Sequence, residues 1–209
     1  LLLGVSTLEL DVGMTRDRAV VVSHDPAVNP KVCLRPNGSV IGARFGALLR
    51  HITLAEAQRF DCGTLNPDAV RFPEPPRRAV PGAVMPTLGE VFDLVRQRSH
   101  DEVHFNIEPK SSPARESAAE LEEFVATVID VLRKYDMVER TTLQSFDWRA
   151  LEIADQIEPR LAIAVLLEPE KLDEVASKTP LLAPLKDEGA LGDERGPFTD
   201  GIARLVTVL

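Results

Sequence analysis

No run of apolar residues in this chain approaches the roughly 20 needed for a helix to cross a bilayer, so no stable membrane span is expected. A basic stripe interleaved with aromatics is also missing. Lysine and arginine total 24 against 33 aspartates and glutamates, for a formal net charge of −9. Nucleic acid is therefore not an expected partner. An anionic small molecule stays open, because a bound cation reverses the local field. There are only two cysteines, Cys33 and Cys62. They make no disulfide framework and lack metal-ligand spacing, so they read as two unpaired thiols. There is no internal repeat at a fixed period and no low-complexity tract. The chain opens LLLGVSTLELDV, without methionine or a charged leader region, and this neither indicates nor excludes a signal peptide.

What is present is a globular balance. Of 209 residues, 44% are hydrophobic and 27% charged, enough for one domain with a sizeable core over residues 1–209. Residues 7–12 alternate, with Leu8, Leu10 and Val12 on one face and Glu9 and Asp11 on the other. After a polar TRDR turn, the β-branched run 19–24 ends in His24-Asp25, giving two successive buried strands. A Pro-rich stretch at about 27–85 reads as an insertion with little regular structure, broken by one amphipathic segment at 53–60. Thr53 with Glu56 and Thr87 with Glu90 have capping-box spacing. Helices are expected at 86–98, 116–135 and 148–157. Strands are expected at 102–108, 141–146 and 160–167, and the final VTVL resembles the start of another. Strands alternating with helices imply an α/β fold with a parallel sheet.

The chemistry gathers at strand ends. Glu9 and Asp11 share a face, as do Asn106, Glu108 and Lys110. In an α/β barrel, inward positions at strand C-termini form the rim of the active site. Three inward carboxylates against one lysine would be costly to bury without a cation. An all-oxygen set suits a hard divalent ion, Mg or Ca, which makes Glu9, Asp11 and Glu108 the candidate metal ligands. His24 is placed to transfer a proton near neutral pH. Lys110 suits a phosphate oxygen as a point charge. Gln144, at the end of the strand at 141–146, is suited equally to substrate hydrogen bonding and to packing. His104 reads as structural, His51 and His100 have weaker context, and Phe146 and Trp148 read as core.

The stretch LELDVGMTRDRAVVVSHDP (8–26) resembles the Glu-x-Asp, Thr-x-Asp and Val-Val-x-His-Asp signature of glycerophosphodiester phosphodiesterases. MPTLGEVFDLV (85–95), FNIEPK (105–110) and QSFDWRAL (144–151) resemble later blocks of that family, in the same order. The resemblance implies a TIM (β/α)8 barrel, here incomplete. The family's His-Arg-Gly first strand and its last strands have no counterpart, so the chain looks truncated at both ends, with six strands of eight at most. The resemblance implies metal-dependent hydrolysis of glycerophosphodiesters to an alcohol and glycerol 3-phosphate. Glu9, Asp11 and Glu108 would be metal ligands, His24 one of two catalytic histidines, and Lys110 a basic residue near phosphate. The insertion is similar to that of exported members, which leans localisation to the periplasm or exterior. Two alternatives stand beside this: a non-catalytic barrel remnant acting as a binding module, and a lipid head-group phosphodiesterase of the phospholipase D-like toxin type. Oligomeric state is left open.

Overall fold

The structure, a computed structural model, describes residues 5–42, 46–65, 79–98, 103–167 and 204–207. His100 and the segment 168–203 lie outside the described residues. The chain divides into two compact units, Leu1–Val103 and His104–Leu209.

The first unit begins with strands β1 (Thr7–Met14) and β2 (Val20–Val22), paired antiparallel with Val12 opposite Val22 and Met14 opposite Val20. Both sit where the alternating pattern places them. Their connection is too short for the crossover that parallel strands require, so they form a hairpin. In the turn, the Thr15 hydroxyl donates to Asp17 at 2.6 Å, and Arg18 takes a left-handed φ of 63°. On the Asp11 face of β1, Gly13 lies against Leu49. A Cβ at Gly13 would come within 2.9 Å of Leu49 Cδ1, so any larger residue would make this buried leucine side chain shift.

The stretch after β2 has little regular structure, as its proline content implies. Among the described residues it holds a 3-10 turn at Leu49–His51 and one short α-helix, α1 (Leu54–Ala57), whose Thr53–Glu56 capping box is formed. Its own small core collects Val28, Cys33, Ile41, Leu49, Ala57 and Met85 around Val21 of β2. Helix α2 (Leu88–Arg98) follows and buries Leu88, Phe92 and Val95. The Glu90 side chain accepts from the Thr87 backbone N–H at 2.7 Å, and the Thr87 hydroxyl accepts from the Glu90 N–H at 3.2 Å, completing the box read from the sequence.

The cysteines correct the sequence reading. Cys33 and Cys62 form a disulfide with an S–S distance of 2.11 Å, and are not free thiols. The cause is local pairing. Leu34 and Asp61 exchange both backbone hydrogen bonds, at 2.7 and 3.2 Å, as an antiparallel bridge. The next pair outward is Cys33 and Cys62, the close, non-hydrogen-bonded kind in which side chains meet. A separation of 29 residues conceals that pairing in the sequence.

The second unit is regular. Strands β3 (His104–Pro109), β4 (Thr141–Ser145), β5 (Ala162–Leu167) and β6 (Arg204–Thr207) run parallel in that order. Helix α3 (Ala118–Lys134) joins β3 to β4, and α4 (Trp148–Ile157) joins β4 to β5. Leu121, Phe124, Val125, Val128, Ile129 and Leu132 form the buried stripe of α3, which the sequence places at 116–135. The layer beneath is Phe105, Ile107 and Leu143, each at most 1% exposed. A Ser117–Glu120 capping box starts α3. Past the end of α4, buried Glu158 is gripped by Arg133 and Arg160, each at 2.9 Å. These two arginines, Arg160 foremost, hold the Glu158 carboxyl down at about 2.

Candidate active site

In the first unit, β1 carries Glu9 and Asp11 two residues apart, so both leave one face of the strand. Glu9 is exposed and Asp11 half-buried. The Asp11 carbonyl accepts the Ser23 N–H at 2.9 Å, which extends the hairpin by one residue and delivers His24 at its edge. The His24 imidazole is 72% exposed, and its Nδ1 lies 3.5 Å from Asp25 Oδ1. Asp25 is itself held: its carboxylate accepts from the Asn29 amide, and its carbonyl from the Ser23 hydroxyl at 2.9 Å. An exposed imidazole beside an anchored carboxylate is equipped to hand a proton to a group arriving from solvent.

In the second unit, Glu108 and Lys110 lie at the C-terminal end of β3, where the sequence pattern places them. Glu108 is buried at 7% exposure, and Lys110 Nζ sits 3.0 Å from its Oε2. Within this unit the structure also brings Asn106 and Gln144 together: the Asn106 Nδ2 donates to Gln144 Oε1 at 2.7 Å. Gln144 is 5% exposed. Asn106 Oδ1 is buried without a hydrogen-bond partner, an omission that costs about 1–3 kcal/mol in a packed interior.

Of three other residues weighed in the sequence, Phe146 takes a different place from that expected. Phe146, read as core, is 44% exposed just past β4, because the strand ends at Ser145 and the chain bends there. Trp148 is buried as expected, its indole N–H donating to the Leu166 carbonyl at 3.1 Å. His104 is exposed at the start of β3.

One cluster escaped the sequence reading. Buried Asp147 receives a two-pronged grip from Arg149, at 2.7 and 2.9 Å, and a hydrogen bond from the Ser111 hydroxyl at 3.3 Å. Arg149 also reaches the Glu116 carbonyl at 3.5 Å. This ties the loop after β3, which carries Lys110, to the start of α4. The only local signal is an aspartate before a helix, and that pattern reads as an ordinary cap. Here Asp147 makes no side-chain cap bond and turns to Arg149 instead.

The candidate metal ligands are all carboxylate oxygens, a donor set that fits a hard divalent cation and disfavours softer ions. Among the described residues, no helix is long and apolar enough to cross a membrane.

Comparison with known proteins settles the class. Parallel strands with intervening helices, and carboxylates at strand C-termini, are features of TIM-barrel enzymes. In a crystal structure from Silicibacter pomeroyi DSS-3, named provisionally as a glycerophosphoryl diester phosphodiesterase, the matching region shares 30% identity with a TM-score of 0.75. It covers 91% of this chain and 64% of that one. A phosphodiesterase from Oleispira antarctica, solved in complex with the product sn-glycerol-3-phosphate, matches at 19% identity with a TM-score of 0.57, over 99% of this chain and 73% of that one. The fold is accordingly an incomplete TIM barrel. The model of the glycerophosphoryl diester phosphodiesterase family matches residues 2–193, and the chain belongs to that family. Among curated proteins, a glycerophosphodiester phosphodiesterase of Bacillus subtilis is 30% identical, covering 79% of this chain and 50% of its own length. One from Caldanaerobacter subterraneus is 28% identical, covering 79% and 56%. The chain thus spans about half the length of the curated relatives it matches.

Proposed function

We propose that this chain carries out metal-dependent hydrolysis of glycerophosphodiesters to an alcohol and glycerol 3-phosphate. The observation that carries the reading is the family match over residues 2–193, which spans both units and contains every candidate site residue. That span also supports reading residues 1–209 as one barrel domain with an insertion at about 27–85.

In this reading Glu9, Asp11 and Glu108 hold one Mg or Ca ion. When bound, the cation would draw charge from the phosphoryl oxygens. Lys110 has two roles. It neutralises buried Glu108 at 3.0 Å, and it presents positive charge to a phosphate oxygen. Gln144 offers a hydrogen bond to the substrate. Water supplies the oxygen that joins phosphorus, one of its protons staying on the phosphate monoester and the other passing to solvent, as the phosphorus–oxygen bond to the alcohol breaks. His24 gives its proton to the departing alkoxide. The exposed position of His24 suits this role, since a leaving alcohol must escape to solvent. The net charge of −9 supports a small diester over a nucleic acid. The Cys33–Cys62 disulfide supports residence in an oxidising compartment, outside the cytoplasm.

The test is glycerol 3-phosphate release from glycerophosphocholine in the presence of Mg or Ca. The native chain is expected to turn over, and His24→Ala to lose about a hundredfold or more, as removal of a general acid does. A folded, metal-loaded native chain with no turnover would refute the catalytic reading and leave the binding-module alternative. Preferential turnover of lysophospholipid would move the substrate class to lipid head groups.

A further inference from the structure

Asn29 commits the two ends of its amide to different partners. Its Oδ1 accepts the Lys31 N–H at 2.7 Å, and its Nδ2 donates to Asp25 Oδ2. The first bond is an ordinary turn device, and an aspartate or a serine would make it as well. The second needs an amide: the Lys31 N–H can occupy only the carbonyl end, which leaves the NH2 for the carboxylate. The turn that carries Asn29 is closed on its backbone. The Asn29 carbonyl accepts the N–H groups of Val32 and Cys33 at 3.1 and 2.8 Å, and Cys33 is joined to Cys62. The chain between Asp25 and Asn29 is anchored too. The Pro26 carbonyl accepts the Leu49 N–H at 2.9 Å, the Val28 N–H donates to the Ala47 carbonyl at 3.0 Å, and Ala27 and Val28 are buried. Asp25 is therefore held from a fixed base, with Oδ2 engaged by Asn29 and Oδ1 lying 3.5 Å from His24 Nδ1.

We propose that Asn29 is a positioning residue for the proton donor: by holding Asp25 Oδ2, it keeps Asp25 Oδ1 beside His24 Nδ1 and leaves Nε2 as the nitrogen that serves the departing alcohol. This rests on the role of His24 in the reading above. The Ser23 N–H bond to the Asp11 carbonyl sets His24 beside the strand that carries two candidate metal ligands. An imidazole exposed to the extent of 72% takes little support from packing. Its orientation then depends on Asp25, and through Asp25 on Asn29. A proton donor held in one setting reaches the leaving oxygen more often than one free to turn.

The test compares two diesters of glycerol 3-phosphate, hydrolysed by the full chain at saturating Mg. Choline leaves glycerophosphocholine as an alkoxide that needs a proton, whereas the p-nitrophenyl ester releases a stable anion that needs none. Asn29→Ser and Asn29→Asp both keep an oxygen for the Lys31 N–H and lose the amide donor, and either serves if the other does not fold. With glycerophosphocholine each should lower kcat about tenfold, part of the loss of about a hundredfold or more expected for His24→Ala, with KM near native. Asn29→Asp should lose the more, because it sets a second carboxylate against Asp25. With the p-nitrophenyl ester each should stay within about twofold of the native chain. Added to His24→Ala, Asn29→Ser should cost nothing further. Native-like turnover of glycerophosphocholine by the Asn29 variants overturns the inference and leaves the phosphodiesterase reading standing. Equal losses on the two esters do the same, since Asn29 would then only hold the loop. A folded native chain that hydrolyses neither ester, or a His24→Ala chain with native turnover of glycerophosphocholine, overturns the role given to His24 and this inference with it.

Discussion

The two compact units hold themselves together by different means. The second is layered: Phe105, Ile107 and Leu143 on parallel strands lie under the apolar stripe of α3. The first has a short hairpin, the short helix α1, helix α2 and, between β2 and α2, a long stretch of loop. It relies on bonds between side chains and backbone and on a disulfide. Asp61 is its hub. The carboxylate accepts the Thr64 hydroxyl at 2.6 Å and the N–H groups of Gly82, Gly63 and Thr64 at 2.9 to 3.0 Å, and the next residue is Cys62. Chain without period-matched apolar residues cannot build a layer, so it is fixed by polar pins and a staple.

That contrast can be broken from either side. The largest effect should come from the layered unit. Leu143→Ala, at a fully buried position, should cost about 2–5 kcal/mol in a urea melt, because packed surroundings relax only partly into the cavity. Next is the staple. Cys33→Ser with Cys62→Ser should cost about 3 kcal/mol for a loop of this length. Hydrogen exchange should show the loss confined to the first unit, at 27–65 and 79–85. Equal acceleration in β4 and β5 would mean that the two units do not differ as described.

The smallest effect is acidic. Thr64 first, then Gly82 and Gly63, hold the Asp61 carboxyl at about 2, below the ordinary aspartate value of 3.8. A depressed carboxylate stabilises the fold above its unfolded value, and that contribution is lost as pH falls through the folded one. The first unit should therefore lose stability between about pH 4 and pH 2, a loss that Asp61→Asn flattens. In the second unit, Glu158 is held at about 2 against an ordinary 4.5. Glu158→Gln should flatten the loss there and leave the first unit's profile unchanged.

The same contrast explains what could be read beforehand. Helices α2, α3 and α4 and the strands carry period-matched apolar residues, so their positions and buried faces were legible. The strand positions of Glu9, Asp11, Glu108 and Lys110 were legible because strand alternation assigns faces, and four motif blocks in family order singled them out as candidates. The disulfide was not, since two cysteines 29 residues apart become neighbours only through the Leu34–Asp61 pairing. The Asp147–Arg149 grip was hidden because an aspartate before a helix reads as a cap. Phe146 was misplaced because apolar character does not reveal that a strand stops one residue earlier. The pairing of Asn106 with Gln144 was also hidden, since it depends on the register of two strands and not on either sequence alone.

Glu9, Asp11 and Glu108 are proposed to share a single hard cation. Calorimetric titration with Mg and Ca tests it most directly, applied to the native chain, Glu9→Ala, Glu108→Ala and the double variant. One site is expected in the native chain. Each single change should weaken it by about tenfold or more, and the double variant should lose less than the product of the two, as ligands of one ion do. A folded native chain that binds neither ion, or losses that multiply as if from independent sites, would contradict the shared site.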